Sequence, residues 1–478
     1  MKSLAGRIIL VLHRYLGVLV GVLMTVWCLS GFVMMYQGFP ALSEAERLRG
    51  LAPLDLTDCC DGTAWPLDGQ ETVGAFRIEM LTGRPVLRSG AQIIDLRTGR
   101  PVAPLSADEI AQVARTYAAG AGVSGEADIR LMDRQDQWTI QNFARAAPLH
   151  HVRFNDPAGS AIYISGSSGL VVQDTTRHER FWTWLGAVPH WLYPTLLRQN
   201  GALWTQVVIW TSVLGVFLTA TGLYVGISRF RRRRDGRWSP FRGLWYWHHM
   251  IGLVFGVITL TWTFSGLMTM GPWGVLDGPP NPLRRDISGA VPAVDMAGFI
   301  DAAARAPVMA EGDVRQLRSA PLGGRLRVLA MRADDEPIRL DATASPRPPD
   351  EAEVRAALAA GPLAELEWRT QEDAYHYGFK SQAVLPVWRA RFDDALDTHA
   401  YIHPDTGEVV RLVDDASRRS RWLRNGLHSL DFIRGRPVWD VVTLLLLAGV
   451  TLVCATGAWM SFRRIRRDVE TLRFRSRR

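Results

Sequence analysis

Eleven histidines occur in the chain, and four of them form two related pairs. His13 recurs as His248 at an offset of 235 residues, and His190 recurs as His428 at an offset of 238. The other seven have no histidine at the corresponding position. Glycines follow each member of the first pair: Gly17 and Gly21 after His13, Gly252 and Gly256 after His248. On a helix that spacing lines a strip without side chains along the histidine's own face. A flat ligand carried on an axial imidazole suits such a strip, and an iron porphyrin answers that description. No Cys-x-x-Cys-His occurs, so the expected cofactor is noncovalent haem b, two per chain. The predicted iron ligands are His13, His190, His248 and His428, with His249 an open alternative to His248. Close helix packing is the competing reading of the glycine spacing.

Other reactive residues carry weaker signals. His150-His151 and His399-x-x-x-His403 have the right types for a metal, but the second pair falls in a segment that reads as a hairpin. Cys59-Cys60 is an adjacent pair, and Cys28 and Cys454 lie in apolar stretches as packing residues. Tryptophans 182, 184, 191, 204, 245, 247 and 439 suit an aromatic belt at a membrane surface. No Ser-His-Asp spacing, paired-carboxylate motif, Walker loop or G-x-G-x-x-G after a strand is present, so the catalytic residue is left unassigned.

Membrane helices are the elements that must position these histidines. Among 478 residues, 47% are hydrophobic and 21% charged. Apolar stretches at 8–36, 202–227, 244–270 and 438–462 each exceed the ~20 residues that cross a bilayer core. The first is too long for a signal-peptide core and no A-x-A site follows it, so it is expected to be retained. Lys+Arg outnumber Asp+Glu by 55 to 47. The excess lies in short segments: Lys2, Arg7 and Arg14; Arg229, Arg231, Arg232, Arg233, Arg234, Arg237 and Arg242; and a tail from Arg463 to Arg478. By the positive-inside rule these segments and both termini are cytoplasmic, and the basic balance reflects topology rather than nucleic-acid binding. The expected order is helix 1–36, outer domain 37–201, helix 202–228, arginine loop 229–243, helix 244–270, outer domain 271–437, helix 438–462 and basic tail 463–478. The cytoplasmic pieces are too short to bind a nucleotide, so nucleotide chemistry would come from a partner.

The same offset runs through the whole chain and marks an internal duplication. Trp27 and Ser30-Gly31 match Trp262 and Ser265-Gly266; Ala220-Thr221-Gly222 matches Ala455-Thr456-Gly457; Arg153-Phe154 and Tyr163-Ile164 match Arg391-Phe392 and Tyr401-Ile402. Each half therefore reads as helix, outer domain, helix. The outer domains read as α+β. Strands are expected at 91–96, 138–143, 160–165 and 170–173, and helices at 106–119, 297–306 and 349–360. Residues 401–410 read as a hairpin with Gly407 in its turn.

These residues carry a family resemblance. His13-Arg-Tyr-Leu-Gly17, Tyr401-Ile-x-Pro-x-Thr-Gly-Glu-Val-Val410, Trp422-x5-His428-Ser-Leu-Asp-Phe432 and Arg436-Pro-x-Trp439-Asp440 resemble the PepSY-associated transmembrane family. It includes iron-regulated membrane proteins and inner-membrane ferric-siderophore reductases. The resemblance implies four helices with two PepSY-like outer domains in a bacterial inner membrane. It further implies a dihaem protein passing electrons, from a quinol or a cytoplasmic reductase, to a ferric siderophore or other ferric chelate in the periplasm. The family's histidines fall on His13, His190, His248 and His428. One departure is Tyr163-Ile-Ser-Gly-Ser-Ser-Gly169, where the family has an aspartate-rich turn. Two other readings stay open: a non-redox membrane protein binding a peptide, protease or transport partner, and a metal-uptake accessory.

Overall fold

The computed structural model describes residues 4–57, 59, 72–234, 236–310, 313–379 and 381–475, so Cys60 lies outside them. The chain divides into two compact units: residues 1–39, 179–277 and 416–478 form one, and 40–178 with 278–415 the other.

The first unit is built on four helices, α1 (Leu4–Met34), α3 (Gly201–Arg229), α4 (Leu244–Thr269) and α6 (Arg436–Arg475). Each is long and apolar enough to cross a bilayer. The helices start and stop within a few residues of the apolar limits, except that α6 continues as helix through the arginine tail. They pack in a ring, α1–α3–α4–α6, which sets α1 and α4 across a diagonal. Small residues bring the seams close. A Cβ on Gly21 would stand 3.5 Å from the Ala458 backbone, and one on Gly256 only 2.5 Å from Leu223. Cys28 and Cys454, both buried and free, lie 3.8 Å apart across the α1/α6 seam. The repeat puts Thr263 and Thr219 at those positions on α4 and α3.

The second unit is α+β. Two four-stranded antiparallel sheets repeat each other. One contains β4 (Ala127–Leu131), β5 (Leu149–Phe154), β6 (Ala161–Ser165) and β7 (Val171–Thr175). Its counterpart contains β11 (Leu363–Arg369), β12 (Val387–Phe392), β13 (His399–Ile402) and β14 (Val409–Val413). A helix covers each. Ser106 and Glu109 form the capping box of α2 (Ala107–Ala121), which packs Ile110, Ala114 and Tyr117 on Val152, Phe154, Ile162 and Ile164. Asp350 caps α5 (Glu351–Leu358), which packs Val354, Ala357 and Leu358 on Ala390, Phe392, Ala400 and Ile402. The expected hairpin is β13–β14, and Gly407 takes the left-handed conformation its turn needs.

Two expectations change. Residues 138–143 are not a strand, although their side chains alternate. Asp136 takes the backbone N–H groups of Trp138 and Thr139 into an Asx turn and accepts the Tyr163 hydroxyl at 2.7 Å. The repeat builds the same turn at Asp373, which accepts from Tyr375, His376 and the Tyr401 hydroxyl. Burial opposes ionisation of Asp373, yet those bonds hold its carboxyl below the usual range.

The second change concerns domain organisation. Where the repeat predicts one outer domain per half, the two polar blocks share a sheet. Strands β1 (Phe76–Leu81), β2 (Arg84–Ser89) and β3 (Gln92–Asp95) join β8 (Val314–Ser319), β9 (Val328–Arg332) and β10 (Ile338–Leu340) in the order β10-β9-β8-β1-β2-β3. At the junction Ile78 faces Leu317 and Glu79 faces Gln316, the middle of both strands. Antiparallel pairing there satisfies an edge that either half would otherwise leave open. Glu79, 1% exposed, anchors the junction: Arg88 donates to it at 2.7 Å, Arg47 at 3.4 Å, and Gln316 from the other half donates as well.

Removing Glu79 strands the Arg88 guanidinium. Glu79→Ala is expected to cost about 3–5 kcal/mol, whereas Glu44→Ala, at an exposed Arg318 pair, costs roughly 0–1 kcal/mol. Urea titration of the full-length protein in detergent, followed by the β-sheet circular dichroism signal, separates the two.

Candidate functional site

The α1/α4 diagonal brings the four repeated histidines together in two pairs. His13 sits on α1 and His248 on α4, near the helix ends that begin nearest the arginine segments. Their ring centres are 6.4 Å apart with planes at 32°. His190 ends a short helix, Ala187–His190, and His428 lies in another, Leu427–Ser429, that follows a π-helical turn. Those two rings are 6.2 Å apart at 64°. Although neither histidine belongs to a spanning helix, each is hung on one: His190 on α1, His428 on α4.

All four rings are pinned at Nδ1. His13 Nδ1 donates to the Leu218 carbonyl at 3.0 Å. His190 Nδ1 donates to the Trp27 carbonyl at 3.1 Å and also meets the Ser30 hydroxyl at 3.1 Å. His428 repeats the serine contact, its Nδ1 lying 3.1 Å from the Ser265 hydroxyl. His248 Nδ1 meets the Thr456 hydroxyl at 3.0 Å. In His13 and His190 a carbonyl at Nδ1 fixes the tautomer, so the proton is on Nδ1 and the lone pair on Nε2. Among the described residues no Nε2 of the four has a hydrogen-bond partner. Burial and the neighbouring ring pull His190 down to about 4, and burial lowers His428, both shifts favouring the neutral ring.

This is the arrangement in which imidazole binds metal, with the far nitrogen hydrogen-bonded and the near one free. Spacing agrees. Two imidazoles sharing one metal ion need ring centres roughly 6.2 Å apart, given a metal–nitrogen bond of about 2.0–2.1 Å and ~1.1 Å from nitrogen to ring centre. Both pairs meet that spacing. The indole N–H groups of Trp27 and Trp262 are also buried and, among the described residues, unpartnered. These two donors are equivalent in the repeat, and orphaned donors of this kind mark where a further group belongs.

His249 does not share this geometry. Its Nδ1 lies 2.8 Å from the Ser239 hydroxyl and its Nε2 donates to the Gly226 carbonyl at 2.9 Å, so neither nitrogen is free.

The glycines divide differently from the expectation of a strip facing a ligand. Gly21 and Gly256 back onto neighbouring helices, and a Cβ on Gly17 would stand 3.1 Å from the Ser461 hydroxyl. These three serve helix packing. Only Gly252 opens on free space. The glycines that accommodate imidazoles are others. A Cβ on Gly222 would stand 2.6 Å from His13 Cε1, and one on Gly457 3.1 Å from His248 Cε1. Gly31 and Gly266 lie behind His190 and His428 at 4.0 and 3.7 Å by the same measure. Their signal was available, since both pairs recur at offset 235, but recurrence does not say which helix a glycine faces.

The lesser candidates do not converge. His150 and His151 are successive on β5 and point to opposite faces, His151 stacking on Tyr163. His403 Nδ1 accepts from the Asp405 and Thr406 backbones in the hairpin turn. Among the described residues no three His, Cys, Asp or Glu side chains are grouped to hold a metal.

A family model described as the PepSY-associated TM region matches residues 10–320. The match takes in His13, His190 and His248 and ends before His428. No curated protein and no solved structure matches the chain significantly.

The glycine geometry gives a direct test. Gly222→Ala and Gly457→Ala push a methyl into an imidazole and are expected to cost about 1–3 kcal/mol each. Gly252→Ala meets nothing and is expected to be neutral, or stabilising by up to ~1 kcal/mol. Thermal unfolding of the three variants in one detergent gives the ordering.

Proposed function

The chain belongs to the PepSY-associated TM region family, and from that premise and the two imidazole pairs we propose that it is a dihaem electron carrier. In this reading His13 and His248 hold one haem b and His190 and His428 the other. The observation that carries it is the repeated spacing of 6.4 and 6.2 Å between rings whose Nδ1 atoms are already engaged. When bound, each haem supplies a one-electron site whose potential is set by its ligands and surroundings.

The protein's own part is to place, insulate and orient those sites. Hydrogen bonds at Nδ1 orient each imidazole, and the carbonyls at His13 and His190 hold those two in the ligating tautomer and raise their basicity. Apolar helices keep water away. From His13 to Ser30, α1 rises roughly 25 Å at about 1.5 Å per residue, so the two pairs lie toward opposite faces of a ~30 Å hydrocarbon core. The arginines after α3 and in the α6 tail favour a cytoplasmic position for both termini, with the polar unit in the periplasm of a Gram-negative inner membrane. The His13/His248 pair is then the entry side and the His190/His428 pair the exit side.

The acceptor in this proposal is a ferric siderophore or another ferric chelate. One electron converts Fe(III) to Fe(II), a softer ion that hard oxygen ligands hold less firmly, and iron is released. The electron comes from a quinol or a cytoplasmic reductase.

An absorption spectrum of the detergent-purified protein, oxidised and dithionite-reduced, tests the proposal. About two haems per chain and a sharpened α band on reduction are expected, and a colourless protein from haem-sufficient cells overturns it. His13→Ala and His248→Ala should each lose one haem, His190→Ala and His428→Ala the other, while His249→Ala retains both. Full haem content in all four ligand variants would defeat the ligand assignment.

A further inference from the structure

The backbone just after each histidine of the exit pair is held by a second duplicated device. The Trp204 indole N–H donates at 3.0 Å to the carbonyl of Trp191, the residue after His190. The Trp439 indole donates at 2.6 Å to the carbonyl of Ser429, the residue after His428. An arginine lies on each indole, Arg198 at 4.7 Å from the Trp204 ring and Arg436 at 4.8 Å from the Trp439 ring. These arginines are equivalent in the repeat at an offset of 238.

Their charges are treated differently. Arg436 donates to the Asp440 carboxylate at 3.0 Å and to the Met35 carbonyl at 3.2 Å. The residue equivalent to Asp440 in the first half is Thr205, whose hydroxyl is spent on the Gly201 carbonyl. Each arginine also has a second ring against it, Tyr193 at 5.2 Å from Arg198 and Tyr36 at 5.6 Å from Arg436. Among the described residues the Arg198 side chain makes no ion pair and no hydrogen bond, and its Nε is buried without a partner. A half-buried guanidinium between two aromatic rings keeps its planar fork of donors available. That is the geometry that takes a carboxylate in two parallel hydrogen bonds.

We propose that Arg198 is an anion site, and that its anion is a carboxylate side chain of the haem carried by His190 and His428. The proposal rests on the dihaem reading and deepens it. Haem b brings two carboxylates, and a carboxylate placed at the end of an apolar bundle needs a cation. Arg198 is the arginine of the pair with charge to spare, whereas Asp440 already neutralises Arg436. The exit centre is therefore electrostatically lopsided, and Arg198 is a positioning and tuning residue for it.

Full-length Arg198→Gln, Arg198→Lys and Arg436→Gln, in neutral detergent, test this by haem content, rate of haem loss to a scavenging apoprotein, and redox titration. In Arg198→Gln one of two midpoints should fall, because a lost positive charge favours the ferric state. Its haem should leave at least tenfold faster, Arg198→Lys should recover part of both effects, and Arg436→Gln should stay near wild type. Unmoved potential and loss rate in Arg198→Gln overturn the proposal. An effect seen only in anionic-lipid vesicles would assign the anion to a lipid phosphate, and one seen only as weaker chelate binding would assign it to the substrate; either overturns it. If the wild-type protein holds no haem, the dihaem reading itself fails and this proposal falls with it.

Discussion

A polar ring inside an apolar bundle must find a partner for its N–H, and that requirement organises the membrane unit. Each of the four imidazoles meets it on a spanning helix: His13 and His190 at the Leu218 and Trp27 carbonyls, His248 and His428 at the Thr456 and Ser265 hydroxyls. Reaching a group already used within a helix demands close approach. Close approach demands glycine behind the ring, which is why Gly222 and Gly457 stand where they do. It also fixes which nitrogen stays free. Ring spacing, tautomer and helix packing thus follow from satisfying one donor at a time.

The histidines were legible because duplication works as an internal comparison. Residues kept at a constant offset through apolar and polar segments alike stood out from the seven unmatched histidines. Spans and turns were legible for local reasons, namely apolar length and the Gly407 turn. What could not be read was anything that depended on which element a side chain faces. Gly17, Gly21 and Gly256 share the spacing of a ligand-facing strip but point at neighbouring helices. His248 and His249 are adjacent in sequence, and only the Ser239 and Gly226 contacts of His249 separate them. Residues 138–143 alternate like a strand, yet Asp136 claims the local N–H groups. The sheet shared by the two halves has no local signature, because its junction joins strands far apart in the chain.

The two halves share architecture but not electrostatics. Asp440 balances one stacked arginine and Thr205 leaves the other unbalanced. Similarly, Cys28 and Cys454 occupy the α1/α6 seam where the opposite seam has threonines. A buried ion pair, Arg421 with Asp431 at 2.8 Å, lies in the segment carrying His428, while the equivalent positions before and after His190 are Thr183 and Tyr193. Duplication supplied two similar halves, and later substitutions made them unequal. At the His190/His428 pair, where one residue of each half meets, the two sides of a single site are therefore unlike in charge.

The junction at Glu79 and Gln316 also constrains how the protein is made. Strand β1 emerges from the ribosome early, but the strand that pairs with it is β8, and both α3 and α4 are synthesised between them. Until residue 319 is available, β1 keeps one edge unpaired and Arg88 and Glu79 lack the Gln316 contact. The polar unit can therefore be completed only after the third membrane helix has been placed. Pairing across so long a separation is slow, and an open strand edge meanwhile invites the wrong partner. Biogenesis of this fold is a waiting problem: its first half must be kept from associating until its second half arrives.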